Sequence, residues 1–209
     1  MKSKDLKILR KKLTKANRID NDPLSGFSKE DLTLELSDEV LKLNFYVSSS
    51  LPDARLAECL ALFETNMGEF YKNSSWGLDM TEKAGELKHK NARFLLLLGE
   101  GSSLAGFVHF RFEYDDEEHP SQAVVYVYEI QIDKKYRRQG LGKKIMAIIE
   151  EIAQKAAMPK VMLTCLKSNK AASGFYQRLD YTLDETDPSN FNEPVDYEIL
   201  SRKLNAISL

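Results

Sequence analysis

The feature that most constrains the fold is a six-residue turn, Arg137-Arg138-Gln139-Gly140-Leu141-Gly142, set between two segments of opposite periodicity. Before it, Val124 to Ile132 is rich in β-branched and aromatic residues and reads as a strand. After it, Lys143 to Ala157 carries apolar residues at helical spacing. A strand, an arginine- and glycine-rich turn and a helix, in that order, suit a diphosphate. Gly140 and Gly142 let the backbone come close, the helix start presents unsatisfied N–H groups, and arginine brings the counter-charge. Two other phosphate motifs are excluded. A dinucleotide fingerprint needs a third glycine where Ile145 stands, and no Gly-Lys-Ser/Thr follows four spacer residues. Taken alone, the hexapeptide also fits a solvated basic turn that caps a helix.

A second segment narrows the choice. The apolar run Lys160-Val-Met-Leu-Thr-Cys-Leu166 leads into Asn169-Lys-Ala-Ala172-Ser-Gly-Phe175-Tyr176-Gln-Arg-Leu179-Asp-Tyr181. Together the segments resemble the GNAT acetyltransferase superfamily, the first through Arg137, Gly140 and Gly142, the second through an Asn-x-x-Ala-x-x-Phe-Tyr-x-x-Leu-x-Tyr pattern. The resemblance implies an α/β GNAT fold: a mixed central sheet of about six or seven strands flanked by helices. It also implies acetyl-CoA as co-substrate.

Pattern along the chain agrees. Lys2, Lys4, Lys7, Arg10, Lys11, Lys12, Lys15 and Arg18 accompany Leu6, Leu9 and Leu13 at helical spacing, a basic amphipathic helix. That segment, residues 1–26, reads as an N-terminal helical appendage, either docked by its leucines or directing nuclear import or polyanion binding, and 27–209 as the acetyltransferase domain. Strands are expected near Leu41 to Val47, Arg93 to Leu98, Leu104 to Phe112, Ala123 to Ile132, 160–166, Tyr181 to Asp184 and Tyr197 to Arg202. Helices are expected from Pro52, as first helical residue, to Tyr71, then over Met80 to His89, from Lys143, and over 170–179.

Charge is nearly balanced, 30 basic against 32 acidic residues, so no global field attracts nucleic acid and no direct nucleic-acid partner is expected. Cys59 and Cys165, the only two cysteines, sit in apolar runs and read as free buried thiols of a reducing compartment. No membrane span or secretory signal is read, and His89, His109 and His119 are scattered, so no metal site is expected. A monomer of cytoplasm and nucleus is expected.

Acetyl transfer to an amine needs positioned substrates, a neutral amine and stabilisation of developing charge. Glu129, inside Tyr-Val-Tyr-Glu-Ile-Gln-Ile, is costly to bury unpaired and is the candidate general base, with a salt-bridged edge residue as its other reading. Tyr128 and Glu129 would point to opposite faces of a regular strand, so a bulge within 128–131 is expected if both line one site. By the resemblance, backbone groups of Gln131, Ile132 and Asp133 meet the pantetheine arm and thioester, and the N–H groups of Gln139, Gly140, Leu141, Gly142, Lys143 and Lys144, with Arg137 and Arg138, take the diphosphate. Asn169 reaches the pantetheine or caps a helix, two compatible readings. Tyr176 either protonates the departing thiolate or packs beside Phe175.

Further stretches are similar to the NatD type of protein N-alpha-terminal acetyltransferase: Tyr71-Lys-Asn-Ser-Ser-Trp76-Gly77, His109-Phe-Arg-Phe112, Tyr126-Val-Tyr128-Glu129-Ile-Gln131, Arg137 to Lys143, Val161 to Thr164 and Tyr197 to Arg202. That family acetylates the amino-terminal serine of core histones beginning Ser-Gly-Arg-Gly. The resemblance implies a peptide pocket of Tyr71, Trp76, Tyr126, Tyr128 and Tyr197, hydrogen bonds from Thr164 and Thr186, and carboxylates for the substrate arginine at Glu113 and Asp115, around Tyr114. Asp116, Glu117 and Glu118 extend the negative field, and histone tails are the implied partner. A lysine or polyamine acetyltransferase on the same scaffold, and a non-catalytic acyl-CoA- or histone-tail-binding module, stay open.

Overall fold

A computed structural model of the chain describes residues 3–205; Lys2 of the basic segment lies outside them. Along the chain run α1 (Ser3–Ala16), β1 (Thr33–Glu35), β2 (Val40–Val47), α2 (Asp53–Lys72), α3 (Met80–Leu87), β3 (Arg93–Leu98), β4 (Leu104–Tyr114), β5 (Ala123–Ile132), α4 (Leu141–Lys155), β6 (Lys160–Leu166), α5 (Lys170–Gln177), β7 (Thr182–Leu183) and β8 (Tyr197–Lys203). The mixed α/β sheet flanked by helices expected from the sequence is present. Eight strands pair in the order β1-β2-β3-β4-β5-β6-β8-β7, rather than the six or seven expected. The strand not foreseen is β1, whose three residues are too few to show alternation. Pro52 also differs from expectation, since it caps α2 from outside with ψ at 142° instead of opening it.

The chain forms two compact units, which share β4, β5 and α4 along their lengths. One comprises Leu24–Phe110 and Tyr128–Ile145. In it β1, β2, β3 and β4 are antiparallel neighbours. β3 reads Arg-Phe-Leu-Leu-Leu-Leu without alternation because both of its faces are covered. On one side its Phe94 and Leu96 join Phe107 of β4, Leu56, Cys59 and Phe63 of α2 and Leu87 of α3 in a fully apolar core.

The register of β3 on β4 slips once, so that Leu97 faces Gly106 while Leu98 faces Leu104 and Ala105 stands as an extra residue. The carbonyl of Ala105 accepts from the Asp133 N–H at 2.8 Å. This close approach explains Gly106, where a Cβ would lie 2.6 Å from the Gln131 carbonyl oxygen. Gly106→Ala is expected to cost about 1–3 kcal/mol by forcing backbone apart. A circular dichroism melt checks it; an unchanged midpoint would mean that the two strands separate freely there.

The other unit comprises the chain up to Pro23, Arg111–Val127 and Met146 onward. β5 and β6 run parallel, pairing Val125–Val127 with Val161–Leu163, and α4 is the crossover between them. β6 pairs antiparallel with β8 from Lys160↔Lys203 to Leu166↔Tyr197, and β7 closes on β8. Ile149, Ile152 and Ala153 of α4 are buried. α1 is docked in this unit: Leu13 and Ala16 are buried, the Asn17 amide donates to the Phe112 carbonyl at 2.8 Å, and Lys12 Nζ donates to the Ala157 carbonyl at 2.7 Å. Leu6, expected on the docking face, is exposed. Cys165 is buried here as Cys59 is in the first unit, and both are free thiols, as the apolar runs around them suggested. Among the described residues no helix is long and apolar enough to cross a membrane.

Candidate active site

In the unit that contains α2 and α3, Glu129 is buried and held on both carboxylate oxygens. Oε1 lies 2.9 Å from Nζ of Lys83, and Oε2 accepts from the Gln131 amide at 2.7 Å. Gln131 is itself fixed, its Oε1 accepting from Asn66 of α2 at 3.0 Å. The salt bridge of the other sequence reading is present, though on a buried residue rather than an edge one: the partner is a lysine on α3, 46 residues earlier in the chain. Lys83 also meets Glu86 at 2.9 Å and lies over the rings of Phe63 and Tyr71, 4.6 and 5.2 Å from their centroids. Asp79 positions this helix by capping it, accepting from the N–H groups of Thr81 and Glu82.

Burial raises the Glu129 carboxyl above its ordinary range, and the attraction of Lys83 opposes that rise without cancelling it. Burial pulls Lys83 down, but the attraction of Glu129 and then of Glu86 outweighs it and keeps the ammonium protonated. Tyr71, chiefly through burial and then repulsion by Glu129, is pushed up to about 12. Its ring meets Phe63 edge-on and leans on Trp76 at 5.4 Å between centroids. Trp76 is 42% exposed, so this aromatic pair runs from the buried carboxylate cluster to solvent.

Tyr128 joins the same cluster. Its ring stacks on His109 at 4.9 Å, His109 stacks on Phe94 of the core, and His109 Nδ1 lies 3.7 Å from the Glu86 oxygen that Lys83 contacts. Burial alternates regularly through this part of β5, with Glu129 and Gln131 buried and Tyr128 and Ile130 half-buried.

The glycine turn lies in this unit too. Arg138 and Gly140 adopt left-handed conformations, φ 63° and 79°, and nothing lies within 4 Å of a Cβ built on Gly140. Arg138, Gln139, Lys143 and Lys144 are exposed. The helix begins at Leu141 rather than Lys143, and its first ladder bond runs from the Lys144 N–H to the Gly140 carbonyl at 3.2 Å. The N–H groups of Leu141, Gly142 and Lys143 precede that ladder and are open to an anion, whereas that of Lys144, assigned to the diphosphate from sequence, is not. Arg137 is also corrected. Its Nε donates to the Ile132 carbonyl at 2.9 Å and its Nη2 to Asn66 Oδ1, so it braces β5 against α2. Asp133 engages its N–H with Ala105 and its carboxylate with the Lys135 N–H, which leaves that N–H unavailable to a thioester oxygen.

In the other unit Tyr126 and Thr164 share a short hydroxyl–hydroxyl hydrogen bond, and burial holds the Tyr126 phenol well above its usual range. Tyr197 opens β8 opposite Leu166. Asn169 caps α5, its Oδ1 accepting from the Ala172 N–H at 3.1 Å. Tyr176 is buried and packs between Phe175 and Tyr181. Thr186 donates to Asp184 Oδ1 at 2.8 Å, on the carboxylate that binds Lys160, so its hydroxyl belongs to a buried structural ion pair. Asp115 turns into its own loop: Oδ1 accepts from the N–H groups of Asp116, Ser121 and Gln122 while Oδ2 accepts from the Ser121 hydroxyl. Glu113 and Tyr114, at the end of β4, are half-buried, and Glu117 and Glu118 are exposed.

The sequence profile of the Acetyltransferase (GNAT) family matches residues 59–181, more than half the chain. The chain belongs to that family. Solved structures share its fold at low identity. An acetyltransferase of the GNAT family from Listeria monocytogenes is 14% identical, with a TM-score of 0.59 over 82% of this chain and 99% of its own. Ard1 from Thermoplasma volcanium is 13% identical, with a TM-score of 0.56 over 79% and 98%. PaiA N-acetyltransferase from Thermoplasma acidophilum, solved with coenzyme A, is 13% identical with a TM-score of 0.56 over 78% and 99%.

The acetyltransferase takes acetyl-CoA as co-substrate, which supplies the acetyl group as a thioester. The turn fits its diphosphate: a left-handed glycine without a side chain, three leading helix N–H groups and the cations Arg138, Lys143 and Lys144 face outward together. Sequence reasoning missed Lys83, Asn66, Glu86 and His109. Only the cost of a buried carboxylate hinted that a cation had to exist somewhere.

Proposed function

We propose that this acetyltransferase moves the acetyl group of acetyl-CoA to the free α-amine of an N-terminal serine, on chains beginning Ser-Gly-Arg-Gly as core histones do. The observation that carries this reading is the Glu129 carboxylate, sequestered with its pKa raised, at the buried end of the Tyr71–Trp76 aromatic pair. A carboxylate so raised is a stronger base than one in water. It suits an α-amine, whose pKa of about 7.7–8.0 leaves a fair fraction neutral, better than a lysine at about 10.4.

Direct attack in a ternary complex keeps atoms in balance. The amine nitrogen bonds to the acetyl carbon, the C–S bond breaks, the amine proton passes to Glu129, directly or through water, and the thiolate takes a proton on departure, in this reading from Tyr176. Rigid phenol and indole rings suit a small N-terminal residue whose backbone must be oriented. In this reading the acidic group of Glu113, Asp116, Glu117 and Glu118 takes the substrate arginine, beside Asp115, which shapes the 115–122 loop. Such a substrate implies work in cytoplasm and nucleus.

The test is acetylation of paired peptides beginning Ser-Gly-Arg-Gly, one with a free and one with a blocked α-amine, each holding an internal lysine. Signal lost on blocking supports the reading. Signal retained on the lysine, or spermidine acetylated in preference to peptide, would transfer the activity to a different amine. Tight acetyl-CoA binding without turnover on any amine would make the chain a binding module.

A further inference from the structure

We infer that the outer face of α1 is a docking surface for duplex nucleic acid, bound through its phosphates. At 3.6 residues per turn, Lys4, Lys7, Lys11 and Lys15 fall within about 80° of one another, along about 16 Å of helix. Leu13 and Ala16, the residues that bury α1 in its unit, lie on the opposite face. All four lysines are exposed, and no carboxylate among the described residues pairs with them. Lys12, off this line, is engaged by the Ala157 carbonyl and helps fix the helix in place.

The pattern costs helix stability. Lys7, Lys11 and Lys15 are successive i,i+4 neighbours of like charge, each pair unfavourable by a few tenths of a kcal/mol. A solvated face would intersperse signs, and α1 holds a single acid, Asp5, outside the stripe. An occupant with closely spaced negative charge relieves the repulsion, and a duplex offers one phosphate per about 1.7 Å of axis. A membrane fits less well: an interfacial helix needs its apolar face for lipid, and here Leu13 and Ala16 are committed inside the unit, leaving only Leu6 and Ile8 exposed among the large apolar residues of the helix. A protein groove fits less well because the stripe has no aromatic residue to fill a pocket. The chain's net charge of −2 does not forbid binding, since at about 0.1 M salt charges beyond about 10 Å are screened.

Fluorescence anisotropy of a labelled mixed-sequence duplex, titrated with the full chain, tests this. Neutralising four phosphate contacts gives a log–log salt slope of about −3.6, an affinity loss of about 150-fold between 50 and 200 mM salt. Replacing Lys4, Lys7, Lys11 and Lys15 together by Gln should flatten the slope and abolish binding at 200 mM, while replacing the same four by Arg should preserve both. If the fourfold Gln chain does not fold, Lys7→Gln and Lys11→Gln singly should each reduce the slope by about 0.9. Absence of binding at 50 mM, a slope indifferent to the Gln substitutions, or preference for phosphatidylserine vesicles over duplex would each overturn the proposal.

Discussion

Glu129→Gln should lower kcat about 10²- to 10⁴-fold on a Ser-Gly-Arg-Gly peptide, the range expected when a positioned proton acceptor is lost. The amide matches the carboxylate in shape but accepts on one atom only, so the Gln131 contact is lost and the melt should fall modestly, while Lys83 keeps Glu86 as an ionic partner at 2.9 Å and the KM for peptide should change little. Steady-state kinetics at saturating acetyl-CoA, beside a thermal melt, separate the effects. A kcat within a few-fold of the parent would remove Glu129 from the chemistry and leave it a structural half of an ion pair.

Lys83→Met should act on the same carboxylate from behind, and its signature is pH dependence. The competent form of Glu129 is the ionised one. Burial already raises its pKa, and Lys83 is the main force pulling it back. Without the ammonium the pKa climbs further, so the acid limb of kcat/KM against pH moves to higher pH and activity at neutrality falls. Lys83→Arg, which keeps the charge, should hold the limb near its original position. The Met variant should also lose stability, up to about 3–5 kcal/mol for a broken buried pair, and less where Glu129 escapes by taking up a proton. An acid limb that stays in place while stability falls would make Lys83 a purely structural residue.

What could be read in advance follows the range of the forces involved. The glycine turn was legible because its chemistry is local: a strand, a left-handed glycine and a helix start lie within a few residues. The strand and helix pattern was legible for the same reason, while β1, three residues held by its pairing with β2, carries no periodicity of its own. Glu129 was legible as an anomaly, since a carboxylate among β-formers must be compensated. Its partner was not, because an ion pair across 46 residues leaves no spacing to recognise. Arg137, Asp115 and Thr186 show the converse limit. Each has the right functional group for a ligand, and each turns it on the protein itself, toward Asn66, the 115–122 loop and Asp184 respectively. Composition does not reveal whether a polar side chain will satisfy its own fold first.

The two cysteines give the molecule a built-in pair of reporters. Cys59 lies on the buried face of α2 with its pKa driven to about 12 by burial, and Cys165 lies in β6 of the second unit with its pKa also raised. Neither forms appreciable thiolate at neutral pH, so alkylating reagents gain access only when the surrounding unit opens. Labelling rates at the two positions, resolved by peptide mass, then time the breathing of each half separately, without any introduced probe.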